Sequence, residues 1–448
     1  MATDRKKIEL AKWILDPDKA QQLPDDLGLL EKKIGELGLD KIYREIELPL
    51  APILEDMKKI GIKADARILD KLSKELNKEI VELEKKIYGL AGLPFNLNSP
   101  KQLSEILFEK LKIDSAGIPR RKTGAFSTDV EALTKIKDRH LIVAPILDYR
   151  ELFKIKSTYI DPLRELIGRD GRIHTTFIQT GTSTGRLSSQ NPNLQNIPIL
   201  SEWGKKLREA FVAEQGFSFA ALDYSQIELR VLASVAQDEK MIEAFKNDLD
   251  IHKMTASNVF NIPVEKVTPE MRQLAKTLNF GVIYGMGPDA FARTSGLNRA
   301  EASKFIKEYF SDFADIKRWQ EKTINMARQT GYVETLNGRK RWLANIMSPN
   351  RRLAAEAERM AINMPIQGLA ADIIKIAMIK TMEILKQKNW HMKKIRLLLS
   401  IHDELLFEIE DDILKQAADL IKKEMEGAYT LAIPIKVNLA IGKNWANV

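Results

Sequence analysis

Cysteine is absent from all 448 residues. That excludes disulfides, thiolate metal sites and a cysteine nucleophile, and it makes the cytoplasm the expected compartment. No apolar run reaches the roughly 20 residues that span a bilayer, so no membrane partner is expected. The first residues, Met1-Ala2-Thr3-Asp4-Arg5-Lys6-Lys7, are basic but lack an apolar stretch and a small-residue cleavage site, and do not read as a secretory signal. A glycine-rich Walker-type loop is also missing, which excludes triphosphate binding by a P-loop. There is no internal repeat.

What is present describes a globular protein. Hydrophobic residues make up 44% and charged residues 29% of the chain, well outside the disordered range. The length calls for two to four packed subdomains. A net charge of +8 favours polyanionic partners without identifying one.

Along the chain, residues 1–48 read as helices broken at Asp16-Pro17-Asp18 and Leu23-Pro24-Asp25-Asp26. Helical spacing continues through Leu50, Ile53, Leu54 and Met57, and then through Leu69, Leu72, Leu76, Ile80, Leu83 and Ile87. Gly92-Leu93-Pro94 stops it, and Asn98-Ser99-Pro100 opens the next helix. Residues 173–179 alternate like a strand, and residues 181–196 form a polar loop. Phe217 to Leu222 reads as a buried strand, residues 240–360 as largely helical, and Ile395 to Ile401 with Leu405 to Ile409 as two strands. A strand over Ile433 to Leu439 ends the chain. The fold class is therefore α+β, a small sheet carrying large helical insertions.

Three segments carry chemistry. Asp223 closes the strand Phe217-Ser218-Phe219-Ala220-Ala221-Leu222 and precedes Tyr224-Ser225-Gln226-Ile227-Glu228-Leu229-Arg230. Locally, the stronger reading is a helix N-cap. His402-Asp403-Glu404 sits between two apolar strands as an acidic hairpin tip, a pattern that also serves as plain solubilising surface. Taken together the two make chemical sense: neighbouring strands can bring Asp223 and Asp403 together, and Mg²⁺ needs only one or two carboxylates plus substrate phosphates. The third segment places Arg272, Lys276, Phe280 and Tyr284 four residues apart. At about 100° per residue they stack along one side of a helix, cations at one end and rings at the other. Such a stripe suits a nucleoside triphosphate, although most stripes of this kind are solvated cations beside core aromatics.

These three segments resemble the signature motifs of the family A DNA polymerases, the bacterial polymerase I class. Three more segments are similar to the family: Thr184-Gly185-Arg186-Leu187-Ser188-Ser189 with Pro192-Asn193-Leu194-Gln195-Asn196-Ile197-Pro198, Lys156-Ser157-Thr158-Tyr159-Ile160-Asp161-Pro162, and Asn363-Met364-Pro365-Ile366-Gln367-Gly368. All follow in the family's order, from about Tyr43 to Trp445.

The resemblance implies an α+β right-hand polymerase with an antiparallel-sheet palm at 171–230 and 361–448, helical fingers at 231–360 and a helical thumb at 49–170. It implies template-directed addition of deoxynucleotides to a primer 3′-hydroxyl with release of pyrophosphate. The partners are primer–template DNA and deoxynucleoside triphosphates, the chain is expected to be a monomer, and the cofactors are two Mg²⁺ ions, for which Mn²⁺ can substitute. Asp223 and Asp403, assisted by the Tyr224 carbonyl, are the implied metal ligands, and Lys276 is a candidate proton donor to pyrophosphate. Arg272, Lys276 and His252 are implied triphosphate contacts, with Gln226 also in the nucleotide site. Phe280 falls near the sugar, Tyr284 by the templating base, and Glu228 beneath the sugar, where it crowds out a 2′-hydroxyl. Arg186, Asn193, Asn196, Arg359, Gln367 and His402 are implied primer–template contacts, with Lys154, Lys156, Ser157 and Thr158 gripping the duplex from the thumb. Glu404 is implied to be supportive.

The chain departs from the family's pattern in places. Ser400 stands where the family usually has Gln, and Ile199-Leu200-Ser201 where it usually has a basic residue. Residues 1–48 are too few for a 3′→5′ exonuclease core and read as a remnant, so neither proofreading nor a 5′-nuclease is expected. Two other readings fit parts of the pattern. A single-subunit RNA polymerase is opposed by Glu228 and Glu404, and a catalytically silent DNA-binding protein is opposed by retention of both aspartates beside the cations.

Overall fold

In the computed structural model, residues 3–198 and 201–448 are described. Ile199 and Leu200, part of the departure from the family pattern, lie outside the described residues.

The two apolar runs that flank the acidic tip do pair as strands. Phe217–Tyr224 (β1), Ile395–Ile401 (β2), Glu404–Glu410 (β3) and Val437–Gly442 (β4) form one antiparallel sheet in the order β4-β1-β3-β2. Its two central strands, β1 and β3, are buried along nearly their whole length, which explains their almost unbroken apolar sequence. Two boundaries differ from the sequence expectation. β1 runs on through Asp223 to Tyr224, because Asp223 pairs in register with Glu404 on one side and Asn438 on the other. β4 begins at Val437 rather than Ile433, since Pro434 has no N–H to give to a ladder.

Helices surround the sheet. Those that matter for the site are Asp4–Leu15 (α1), Leu48–Ile60 (α2), Ile227–Ala236 (α3), Ile251–Phe260 (α4), Pro269–Ile283 (α5) and Arg351–Gln387 (α6). Thr268 caps α5 by accepting from the Met271 N–H, and Pro269 occupies its first turn. α6 is long and apolar enough by composition to cross a membrane, but 83% of its apolar stretch is buried inside the protein, as in a core helix. The region expected to be helical also contains a hairpin, Tyr332–Glu334 with Lys340–Trp342, turned through Gly338 at φ +90°.

The chain divides into two compact units. The first comprises residues up to Gly61, Thr175–Gln195 and Gln215–Gly442, and the second Ile62–His174, Asn196–Glu214 and Lys443–Val448. The expected segments do not coincide with these units. Residues 49–61 belong with the sheet because α2 packs on β2, while residues 171–174, 196–214 and 443–448 fall in the second unit. Within that unit Asp65 caps the 26-residue helix Ala66–Ala91 and Gly92 ends it in a left-handed conformation. Leu69, Leu72, Leu76, Ile80 and Ile87 are buried on that helix, which packs against Val143–Ile155. Trp445 is fully buried there, edge-on to Phe211 at 5.2 Å with the Arg208 guanidinium 4.4 Å from its ring centre.

Residues 3–48 are an integral part of the first unit. Leu10, Trp13, Ile14, Leu30, Ile34, Ile42, Tyr43 and Ile46 share a buried cluster, with Ile376 of α6 packed against it. Beneath it lies a buried ionic group. Glu47 accepts from Arg339 Nη2 and, at 2.6 Å, from Lys375 Nζ; Arg339 Nε donates to Asp372 at 3.0 Å, and Gln179 Nε2 to Glu47 Oε2 at 2.9 Å. Burial disfavours the Glu47 charge, but Lys375 and Arg339 outweigh it and hold the carboxyl below its usual range. Two cations and two carboxylates balance, so removing one partner strands a buried charge. Glu47→Gln is expected to lower the unfolding free energy by about 3 kcal/mol or more, read by denaturant titration; a loss below about 1 kcal/mol would show that the group does not act as a balanced set.

Candidate functional site

A cleft of about 460 Å³ in the first unit collects most of the chemistry-bearing residues, and the sheet register is what brings the acidic ones together. β2 and β3 are joined by only His402 and Asp403, with His402 at φ +54°. This tight tip sets Asp403 beside the end of β1, where the Tyr224 N–H donates to the Asp403 carbonyl at 3.1 Å. The carboxyl groups of Asp223 and Asp403 lie close enough for each to act on the ionisation of the other. Burial, then the charges of Asp403 and Glu404, push Asp223 up to about 7. Burial also raises Asp403, although the nearby His402 and Arg186 charges oppose the shift. Two buried acidic groups that raise each other's proton affinity are a fitting seat for a divalent cation, which would neutralise both and remove the repulsion. Among the described residues no cluster of three or more His, Cys, Asp or Glu forms a cage, and Mg²⁺ does not need one when substrate phosphates complete its shell. The N-cap reading of Asp223 is corrected. The residue lies within β1, and Gln226, in a left-handed conformation, precedes α3 instead.

The α5 stripe forms another wall. Arg272, Lys276, Phe280 and Tyr284 all line the cleft, Tyr284 as the residue that ends the helix. Arg272 Nε is held by Asp250 at 2.7 Å, and Asp250 also caps α4. Lys276 is exposed and has no carboxylate partner among the described residues. Glu228, buried on α3, takes the Tyr284 hydroxyl on one oxygen at 3.0 Å and the Arg186 guanidinium on the other. Burial and the Glu228 charge raise the Tyr284 phenol, so it stays protonated and able to donate.

His252 is almost fully buried, its ring 5.9 Å from that of Phe280. Asn279 Nδ2 donates to its Nδ1 at 2.9 Å, leaving the ring proton on Nε2. Burial first, then the Arg272 charge, lower it from 6.5 to about 4, so it faces the cleft as a neutral donor.

Gln226 and His402 also line the cleft; the Gln226 side-chain oxygen is buried without a partner. Several expected contacts lie outside it. Asn193 is exposed and accepts from the Gln195 N–H at 3.0 Å. Arg359 lies against Gly285 beside Tyr284, and Gln367 is half-buried on α6. Lys154, Lys156, Ser157, Thr158 and Asn196 belong to the second unit. There Lys156 pairs with Asp161 at 2.6 Å, and the Asn196 carbonyl accepts from the Tyr159 hydroxyl at 2.7 Å. Sequence reasoning missed Gln195, which donates to the Ser400 carbonyl at 3.0 Å, and the α6 residues Ala370, Ala371, Ile374 and Lys375. The available signal for the latter was a lone lysine inside the apolar run Ile373-Ile374-Lys375-Ile376-Ala377.

A depressed histidine makes a definite prediction. His252 in the unfolded chain takes up a proton near pH 6.5, and the folded one only near 4. The unfolded state therefore binds more protons in that window, and the associated stability, complete above pH 6.5, is lost as pH falls towards 4. An NMR titration of the imidazole should give a midpoint near 4; one at or above 6.5 would contradict the buried neutral ring.

A family profile described as DNA polymerase family A matches residues 66–447. DNA polymerase I of Caldicellulosiruptor bescii is 48% identical over 408 residues, covering 90% of this chain and 47% of that protein. The thermostable DNA polymerase I of Thermus aquaticus is 47% identical over 412 residues, 92% of this chain and 49% of that protein. DNA polymerase I of Bacillus subtilis is 45% identical over 423 residues, 93% and 47% respectively. The chain thus spans about half the length of the curated relatives it matches. Among solved structures, the POL domain of Pol1 from M. smegmatis, in complex with DNA primer-template and dNTP, superposes with a TM-score of 0.92. It is 34% identical and covers 98% of this chain and 82% of that chain.

Proposed function

The chain belongs to DNA polymerase family A, and from that premise we propose that it extends a primer along a DNA template by transferring deoxynucleotides to the 3′-hydroxyl. The observation that carries this reading is the pair of buried carboxylates Asp223 and Asp403, set side by side at the ends of adjacent strands and lining one cleft with the cationic and aromatic stripe of α5. A relative solved with primer-template and dNTP supports the same substrates here.

In this reading Asp223 and Asp403, with the Tyr224 carbonyl, would hold two Mg²⁺ ions. Bound ions of this kind supply Lewis acidity and neutralise charge on the attacking and leaving oxygens. Arg272 and Lys276 draw in the triphosphate, and the neutral His252 adds a hydrogen-bond donor without a further charge. Lys276, exposed at the cleft, is the candidate proton donor to pyrophosphate. Phe280 packs by the sugar and Tyr284 by the templating base. Glu228, fixed from both sides by Arg186 and Tyr284, stands where a 2′-hydroxyl would fall. Most of the rate enhancement comes from positioning and charge neutralisation. The part of the expected thumb that lies in the second unit, residues 62–170, acts as the thumb, and residues 231–360 as fingers that close on a correct pair.

Asp223→Ala and Asp403→Ala are each expected to abolish primer extension, a loss of at least about a thousandfold, while duplex binding in a mobility-shift assay stays within a few-fold of wild type. Normal turnover by either variant refutes the assignment. Glu228→Ala is expected to raise ribonucleotide insertion relative to deoxynucleotide insertion by about tenfold or more, because truncation opens the space below the sugar. An unchanged ratio removes Glu228 from that role.

A further inference from the structure

The turn that presents Arg186 is held from behind by residues that do not line the cleft. Trp13 of α1 donates its indole N–H to the Thr182 carbonyl at 2.8 Å, and the Thr182 hydroxyl donates to the Arg186 carbonyl at 2.8 Å. Gly185, at φ +91°, lies flat on Arg339: a Cβ there would stand 3.0 Å from its Nε and 3.2 Å from its Cζ. Arg339 cannot easily yield, because Glu47 and Asp372 grip its guanidinium. The Trp13 ring faces that guanidinium at 5.1 Å and Lys375 Nζ at 5.2 Å. On the far side of the turn the Arg186 guanidinium meets Glu228, whose other oxygen receives Tyr284. A continuous set of contacts thus runs from the N-terminal helix to the residue beneath the sugar.

We propose that Trp13 and Arg339 are positioning residues for sugar selection: they fix the turn 182–186 so that Arg186 holds Glu228 against a 2′-hydroxyl. The inference rests on the nucleotide reading of the cleft. Its physical basis is that a carboxylate held on one oxygen by a rigidly mounted arginine keeps one rotamer. If the backbone under that arginine drifts, the clamp opens, and misplacement by about 1 Å is enough to matter at a reacting site.

The test compares single-nucleotide insertion of a deoxynucleotide and the matching ribonucleotide on one primer-template. It uses wild type, Trp13→Phe, Gly185→Ala, Arg186→Ala and the double variant Trp13→Phe/Arg186→Ala, with melting temperatures measured alongside. Trp13→Phe keeps an aromatic ring over the buried cations and removes only the N–H. Its deoxy-over-ribo ratio of kcat/KM is expected to fall about two- to tenfold, the size of one hydrogen bond. The double variant should discriminate no worse than Arg186→Ala alone, because the mount then has nothing to hold. A Trp13→Phe enzyme with the wild-type ratio, whatever its melting temperature, overturns the proposal. So does a double variant whose loss is the product of the two single losses. If Trp13→Phe does not fold, Gly185→Ala carries the same comparison, since it forces an atom onto Arg339, and an unchanged ratio there is equally fatal. A wild-type protein that inserts no deoxynucleotide at all overturns the polymerase reading instead, a result distinct from either.

Discussion

Two acidic side chains stand closer together than either would choose, and the backbone leaves them no alternative. The antiparallel register of β1 and β3 sets Asp223 across from Glu404, and a two-residue tip sets Asp403 beside it. Burial, and then the resulting repulsion, lift Asp223 to about 7. The rest of the cleft is arranged around that concentration of negative potential. Arg186 and His402 lie near enough to moderate Asp403, and Arg272 and Lys276 line the cleft along α5. A site built this way gains from any ligand that brings positive charge to the carboxyls and negative charge to the cations at once, which is what a metal-bound triphosphate does.

The buried ionic group under the first helices has a different logic. Taking Glu47, Asp372, Arg339 and Lys375 out of water is costly, and an apolar replacement of the same volume could be equally stable. What ions add is direction. Arg339 presents a flat guanidinium with fixed hydrogen-bond partners, and that flat face is the surface on which Gly185 rests. Lys375 also reaches the lining of the cleft from the same group. Residues that look like a leftover in the sequence thereby share a core with α6, through Ile376, and a hydrogen bond with the loop bearing Arg186.

Features with a strong local period were legible in the sequence. The α5 stripe, the apolar arms of the acidic hairpin and the Leu69–Ile87 face all emerged from spacing, since each repeats over several turns or strand residues. The candidate site was legible to the same extent: the two aspartates, the stripe, His252, Glu228, Gln226 and Arg186 converge on one cleft. What escaped was non-local or short. The hairpin at 332–342 has arms of only three residues each, too brief for an alternation to register. The Glu47 group joins residues 292 and 328 positions apart, a distance that no window-based reading spans. Asp223 looked like a helix cap because strand pairing, not local sequence, decides that β1 continues to Tyr224. The boundary near residue 61 was missed because helical periodicity runs on either side of it, while only tertiary packing assigns α2 to the sheet.

β2 is an outer strand of its sheet, and an outer strand with unpaired backbone groups is a template on which a second chain can add. Here part of that border is already taken. The Gln195 side-chain amide donates to the Ser400 carbonyl on β2. The same glutamine that lines the cleft thus blunts one route to edge-to-edge aggregation, so a substitution there would expose a sticky border as well as alter a binding wall.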